Sequence, residues 1–280
     1  NKNIMNINKN YSRNSGSTSS ENQKLWERAQ SIIPGGNMLI SKRPELFLPS
    51  GWPTYFNKAK GIKIWSQKKV YQDFCSMGIG TNLLGYGNQR VDNAVKKIIR
   101  DGNMSTLNSI EDINLAERLL KLHGWADMVK FARSGGEANA IAIRIARASA
   151  KNEKVAVCGY HGWHDWYIGT TTKDLGVPEA TSGLSFSFPY NNIDALERLL
   201  ENHKNKFAAI IIEPINAVYP EPGYLEAVRE LATKHRIVLI FDEICTGARL
   251  SIGGAQELFG VTPDLCAMGK GLSNGHPLSA

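Results

Sequence analysis

Two stretches of this chain carry no polar face: Ala209-Ile210-Ile211-Ile212 and Ile237-Val238-Leu239-Ile240-Phe241. A strand with one wet face alternates apolar and polar side chains, so unbroken apolar runs belong to strands covered on both sides. Beyond residue 85 the chain has the rhythm such a sheet requires. Helical patterns at 89–100, 110–122, 137–150, 192–203 and 223–235 alternate with apolar segments. Strands are expected at Met128–Ala132, Val155–Cys158, Leu184–Phe188, Ala208–Glu213, Ile237–Phe241 and Leu265–Met268. The expected class is α/β, a mainly parallel sheet flanked by helices, whose ligands gather at the carboxyl ends of the strands.

The first third of the chain reads differently. Residues 1–20, rich in Asn and Ser, hold too little apolar content to fold alone and read as a disordered leader. A helix is expected after a Ser19 or Ser20 cap, with Leu25, Trp26, Ala29, Ile32 and Ile33 on its apolar face. Pro34-Gly35-Gly36 should end it. The alternating runs Gly61–Trp65 and Val70–Phe74 suggest a small antiparallel sheet. The expected organisation is a leader over 1–20, an N-terminal helix and sheet over 21–75, and a large domain over 76–280.

Composition narrows the function classes. With 280 residues, 42% apolar and 21% charged, the chain can bury a substantial core. Its formal charge of +7 comes from basic residues scattered among acids, which reads as a solvated surface and not a nucleic-acid footprint. No run approaches the roughly 20 apolar residues of a membrane helix. The opening residues lack the apolar core of a secretory signal, so a cytoplasmic setting is expected. Cys75, Cys158, Cys245 and Cys266 lie far apart, mainly in apolar strand-like contexts, and read as reduced core thiols. Because the chain starts at Asn1 and stops at Ala280 inside an apparent new strand, an incomplete protein is expected.

Four strand ends carry candidate chemistry. Arg133-Ser134-Gly135-Gly136-Glu137 places two glycines at a helix start, where free N–H groups suit a phosphate; a plain turn capped by Ser134 is the alternative. In Cys158-Gly159-Tyr160-His161-Gly162-Trp163-His164-Asp165, Tyr160 or His161 could form a stacking platform for a flat ring. The His and Cys spacing invites zinc, but paired ligands elsewhere are wanting, so no metal is expected. Asp242 closes a wholly apolar strand and needs a partner, either an arginine such as Arg249 or a protonated ring nitrogen. Lys270, between Gly269 and Gly271, is either an exposed turn lysine or an amine made nucleophilic by desolvation. Gly78-Ile79-Gly80 fails the dinucleotide fingerprint, since Leu83 takes the third glycine's place. A phosphate cradle, a stacking ring, an acid and an amine are together what pyridoxal 5'-phosphate requires.

From about residue 21 onward the chain resembles the class III pyridoxal-phosphate-dependent aminotransferases, closest to glutamate-1-semialdehyde 2,1-aminomutase-like enzymes. The likeness rests on Ile33-Pro34-Gly35-Gly36, SGGEANAIAIRIARA at 134–148 and Tyr160-His161-Gly162. Its most specific block is IFDEICTGARLSIGGAQELFGVTPDLCAMGKG at 240–271. The resemblance implies a type I, aspartate aminotransferase-like fold, a homodimer and a small amino or carbonyl substrate. It implies that Lys270 forms a Schiff base with the cofactor and moves the proton, while Asp242 pairs with the ring nitrogen. Tyr160 would stack on one ring face and Ile244 cover the other, with Ser134, Gly135 and Gly136 binding phosphate mainly through backbone N–H groups. The implied reaction is transamination or amino-group transposition.

The chain also departs from that pattern. Gly136 stands where many relatives have Ser or Thr, which removes a hydroxyl from the phosphate turn. The segment from His164 to Phe188 looks shorter than the aminomutase's mobile lid, which favours a transaminase. The YHGWHDWYIG turn keeps open a keto-sugar substrate in surface-polysaccharide synthesis. Relatives continue past the lysine into a C-terminal small domain, so an inactive fragment is the remaining alternative.

Overall fold

The computed structural model describes residues 20–47 and 52–280. Apart from Ser20, the leader expected over 1–20 lies outside the described residues. Two compact units are present, one of residues up to Ala59 with Lys63–Gln72, the other of Lys60–Ile62 with Asp73–Ala280.

In the first unit, helix α1 (Glu21–Ile32) starts at a reciprocal cap. Ser20 Oγ accepts the Gln23 N–H, and the Gln23 side chain accepts the Ser20 N–H. The apolar face is narrower than the sequence pattern suggested: Trp26 and Ala29 are buried, whereas Leu25, Ile32 and Ile33 stay exposed. Gly36, with φ +78°, closes the helix end against the Trp26 ring, which lies where any Cβ at 36 would sit. Three short strands follow, β1 (Lys58–Lys60), β2 (Lys63–Ser66) and β3 (Lys69–Gln72), in the order β1-β2-β3. Strands β2 and β3 pair antiparallel from Lys63↔Gln72 to Ser66↔Lys69, so the expected antiparallel pairing is present over shorter spans.

The second unit begins with a single turn, α2 (Met77–Gly80), then α3 (Gln89–Asp101) and α4 (Ile110–Leu122). Next come α5 (Gly135–Ala150), β4 (Lys154–Cys158), α6 (Asp165–Ile168), α7 (Glu179–Ser182) and β5 (Ser185–Ser187). The remainder is α8 (Ile193–Asn202), β6 (Phe207–Ile212), α9 (Tyr224–His235), β7 (Val238–Glu243), α10 (Ala255–Phe259) and β8 (Leu265–Met268). The five strands lie in the order β5-β4-β6-β7-β8, and every pair is parallel.

Packing explains the unbroken apolar runs. Ala209, Ile211 and Ile240 face Ala142, Ile143 and Ala146 of α5. Ile210, Ile212, Leu239 and Phe241 belong to the opposite core, with Leu196 and Leu200 of α8 and Leu225 and Val228 of α9. Neither face meets water. The chain leaves β4 for β5 on one side and returns to β6 on the other, so strand order reverses beside β4. In open α/β sheets such a reversal is where ligands bind, outside the carboxyl ends of the strands.

One expected strand is absent. Met128–Ala132 makes only an isolated bridge, in which Ala132 and Ser279 exchange backbone hydrogen bonds of 2.8 Å each way. Ala280 does the same with Met268, so a two-residue piece lies between β8 and Ala132. Met128, at 88% exposed, finds no ladder partner. Apolar character alone cannot make a strand without a neighbour to accept its hydrogen bonds.

Ile240 is fully buried between the sheet and α5. Ile240→Ala should lower unfolding free energy by about 2–5 kcal/mol, read from urea midpoints at unchanged m. A loss below about 1 kcal/mol would contradict the two-sided burial.

Candidate functional site

The carboxyl ends of β4, β6, β7 and β8 and the start of α5 bring the candidate residues together. Asp242, next to last in β7, is 2% exposed. Its Oδ2 accepts from Asn139 Nδ2 at 2.7 Å and from His161 Nδ1 at 2.8 Å, and its Oδ1 accepts the Ile244 N–H at 3.0 Å. A carboxylate offers about four acceptor positions, so one remains open. Arg249 is not the partner: it donates to the carbonyls of Cys245 and Gly80.

His161 and Tyr160 play different parts. His161 is fully buried, stacked on Trp166 with centroids 6.2 Å apart, and committed to Asp242 through Nδ1. It offers no open face for a flat ring. Tyr160, 61% exposed, is free on one side and meets Tyr167 edge-on at 5.7 Å.

Gly135 and Gly136 form the first residues of α5, whose Ser134 cap accepts the Glu137 N–H. The Glu137 carboxylate reaches back to the N–H groups of Arg133 and Ser134. Helix geometry leaves the N–H groups of Gly135 and Gly136 without intrahelical acceptors. A side chain at either position would have to displace a neighbouring side chain. A Cβ at 135 would lie 2.9 Å from Ile244 Cδ1, and one at 136 would lie 2.8 Å from the His164 ring. Ile244 also approaches Gly269, where a Cβ would be 3.2 Å away. The isoleucine thus bridges the α5 turn and the residue before Lys270.

Lys270 follows β8 and opens a short 3-10 turn to Ser273. Its φ of 40° is in the left-handed region, an uncommon place for a side chain and one often held at functional sites. Asp242 and Ala267 are register partners in adjacent parallel strands, so Lys270 lies three residues beyond the neighbour of Asp242. The lysine Nζ contacts Cys245 Sγ. Ser279 Oγ donates to the Ser134 carbonyl at 2.8 Å, tying the α5 turn to the strand beside β8.

Sequence reasoning missed Glu213, which directly follows β6 beside the carboxyl end of β7. Its Oε2 accepts the Tyr160 N–H at 2.9 Å and Asn216 Nδ2 at 3.0 Å. Burial lifts its carboxyl above the ordinary value; the Tyr160 N–H opposes the shift, the Asp242 charge adds to it, and His161 and Lys270 pull it down. The strand-end rule that singled out Asp242 would have found it. Asn139 was missed as well, although a polar residue on the apolar face of α5 is itself a signal.

The cysteines divide. Cys158 is buried, with its thiol pushed up to about 12 by desolvation, whereas Cys75 is exposed and corrects the expectation of core thiols. Cys245 and Cys266 are half-buried, and all four are free. Among the described residues, no group of three His, Cys, Asp or Glu side chains is placed to hold a metal ion, and no helix is long and apolar enough to cross a membrane. A depression lined by Arg229, Arg236, Val238 and Asp264 sits at the amino end of β7, away from these residues.

The fold is the type I, aspartate aminotransferase-like fold. The chain belongs to the class III aminotransferase family, whose model, described as "Aminotransferase class-III", matches residues 50–280. It is 39% identical to a 3-aminobutyryl-CoA aminotransferase of Cloacimonas acidaminovorans, over 91% of this chain and 63% of the relative. It is 35% identical to a glutamate-1-semialdehyde 2,1-aminomutase of Methanocaldococcus jannaschii, over 93% of this chain and 63% of the relative. The structure of the Sphingopyxis sp. MTA144 FumI protein in its PLP internal aldimine form superposes with a TM-score of 0.83 at 27% identity. That match covers 92% of this chain and 63% of the FumI chain. The chain therefore spans about 63% of the length of the curated relatives it matches.

An acid with a raised folded-state pKa contributes stability at low pH and loses it as pH rises through that value. Glu213→Gln keeps an acceptor for the Tyr160 N–H but cannot ionise. The Tm of this variant relative to the unsubstituted chain should climb as pH goes from about 4 to 7. A flat or falling difference would refute the buried-acid description.

Proposed function

We propose that this chain holds pyridoxal 5'-phosphate and forms the cofactor-binding part of an enzyme that moves amino groups. The reaction is transamination or transposition of the glutamate-1-semialdehyde 2,1-aminomutase kind. The observation that carries this reading is the Asp242 carboxylate at the end of β7 and the Lys270 amine just past the end of neighbouring β8, with Ile244 reaching between the α5 turn and Gly269. The donor set fits the cofactor. Unpaired N–H groups at Gly135 and Gly136 suit its phosphate, and the open acceptor position on Asp242 suits a protonated ring nitrogen.

When bound, pyridoxal phosphate supplies an aldehyde and a ring that withdraws electrons from bonds at the amine-bearing carbon. The chain's own residues supply position and proton traffic. Lys270 Nζ would be the amine that holds the cofactor and the base that moves a proton at the amine-bearing carbon. Asp242, itself fixed by Asn139 and His161, would hold a proton on the ring nitrogen. Ile244 and Tyr160 would hold the ring between them, and the Glu213 contact to the Tyr160 N–H sets the start of that loop. Gly135 gives Ile244 the room its side chain occupies.

The substrate on this reading is a small amino or carbonyl compound. Exposed Met104, Leu107, Ile110 and Ile113 form an apolar run on and before α4, which supports a second copy of the chain as partner.

In the full-length protein, Lys270→Ala should abolish the yellow, borohydride-reducible link between protein and cofactor, followed by absorbance and peptide mass. Persistence of that link would remove the lysine assignment. Asp242→Asn should retain the link but slow the amino-donor half-reaction on the order of 10²-fold or more in stopped-flow absorbance. An unchanged rate would leave Asp242 with a structural role only.

A further inference from the structure

We infer that Cys245 and Lys270 form an oxidisable pair, which a hydroperoxide converts into a covalent sulfur–nitrogen bridge. The inference rests on the proposed role of Lys270, because the bridge consumes the same amine. The starting observation is the contact itself: Lys270 Nζ reaches Cys245 Sγ, amine against thiol. Both residues are half-buried, so a small oxidant can reach them.

The surrounding turn holds the sulfur in place. The Cys245 carbonyl accepts from Arg249 Nε at 2.7 Å, and the Gly247 N–H donates to the Glu243 carbonyl at 2.7 Å. Thr246 Oγ1 donates to the buried Glu243 carboxylate. On the other side, the left-handed backbone at Lys270 fixes where its stem begins, and that stem runs past Gly80. Two reactive groups held in contact need little further ordering to react. Among the described residues, this is the only contact between a cysteine sulfur and a lysine amine. Burial keeps the Cys158 and Cys266 thiols protonated, which removes them as competitors.

The chemistry balances in two steps. The Cys245 thiolate attacks hydrogen peroxide, an S–O bond forms as the O–O bond breaks, and water leaves after taking up the thiol proton. This gives a sulfenic acid. The Lys270 amine then attacks that sulfur, an S–N bond forms as the S–O bond breaks, and a second water leaves with one amine proton. In sum, one thiol, one amine and one peroxide yield one S–N bridge and two waters. Two equivalents of an added thiol reverse it, returning Cys245 and Lys270 and leaving a disulfide. Bridged protein cannot attach an aldehyde at Lys270, and protein already carrying the cofactor there lacks the free amine.

The test compares full-length protein with and without pyridoxal phosphate after treatment with hydrogen peroxide, using peptide mass mapping and absorbance-monitored cofactor uptake. Exposed Cys75 reports that oxidant reached the protein. Cofactor-free protein should yield a cross-linked peptide pair containing 245 and 270, with a matching loss of uptake, and dithiothreitol should restore both. Cofactor-loaded protein should yield about tenfold less cross-link or lower still, as expected when the ligand is well above its Kd. Cys245→Ser should form no cross-link, and peroxide should leave its uptake at the level of its own untreated sample. Oxidation of Cys245 to sulfinic acid with Lys270 unlinked, or oxidation of Cys75 alone, would overturn the inference and leave the proposed function untouched. Equal cross-linking in loaded protein would uphold the bridge and refute attachment of the cofactor at Lys270.

Discussion

A carboxylate at the end of a strand with no polar face is the constraint around which this site is arranged. Asp242 has left bulk water, and a buried charge without partners costs several kcal/mol. Its partners come from two other parts of the chain, Asn139 on α5 and His161 after β4. Neither is free to do much else. His161 is walled in by Trp166 and Tyr167, and Asn139 sits on the helix face that covers the sheet. Satisfying one acid therefore locks the start of α5, the loop after β4 and the end of β7 into one arrangement.

Several further features depend on that arrangement. With α5 held against β7, Gly135 lies under Ile244, and a side chain at 135 would push the isoleucine aside. With the β4 loop held down by His161, Tyr160 emerges at the surface, its N–H anchored by Glu213 at the end of β6. The register of β7 against β8 then fixes how far Lys270 stands from the acid. Backbone hydrogen bonds of the sheet thus convert a sequence spacing of 28 residues into neighbouring strand ends. The two-residue piece at Ser279 and Ala280 adds a further tie, from Met268 to Ala132 and through the Ser279 hydroxyl to Ser134.

Much of this was legible in the sequence, for identifiable reasons. Six-residue β6 is buried along its whole length, and its apolar run announced that directly. The helix expected over 137–150 is α5, and Ser134, weighed only as an alternative cap, does cap it, in a reciprocal pair with Glu137 that was not foreseen. Asp242 was conspicuous because it follows a wholly apolar run, where a carboxylate needs a partner. What stayed hidden depends on contacts between distant segments. The partner of Asp242 is His161, 81 residues away, and no local pattern distinguishes it from Arg249. Met128–Ala132 looked like a strand because periodicity reports burial tendency, whereas pairing depends on what lies alongside. The thiol of Cys245 read as core because its neighbours are apolar; only the path of the Lys270 side chain brings it to the site.

On the proposed function, the open acceptor position of Asp242 keeps a proton on the ring nitrogen of a cofactor held at Lys270. Nitrogen NMR of the full-length protein loaded with ring-15N pyridoxal phosphate measures that proton directly. A protonated ring nitrogen at neutral pH, lost in the Asp242→Asn protein, is the result the account expects. An unprotonated ring nitrogen in the unsubstituted protein would contradict it.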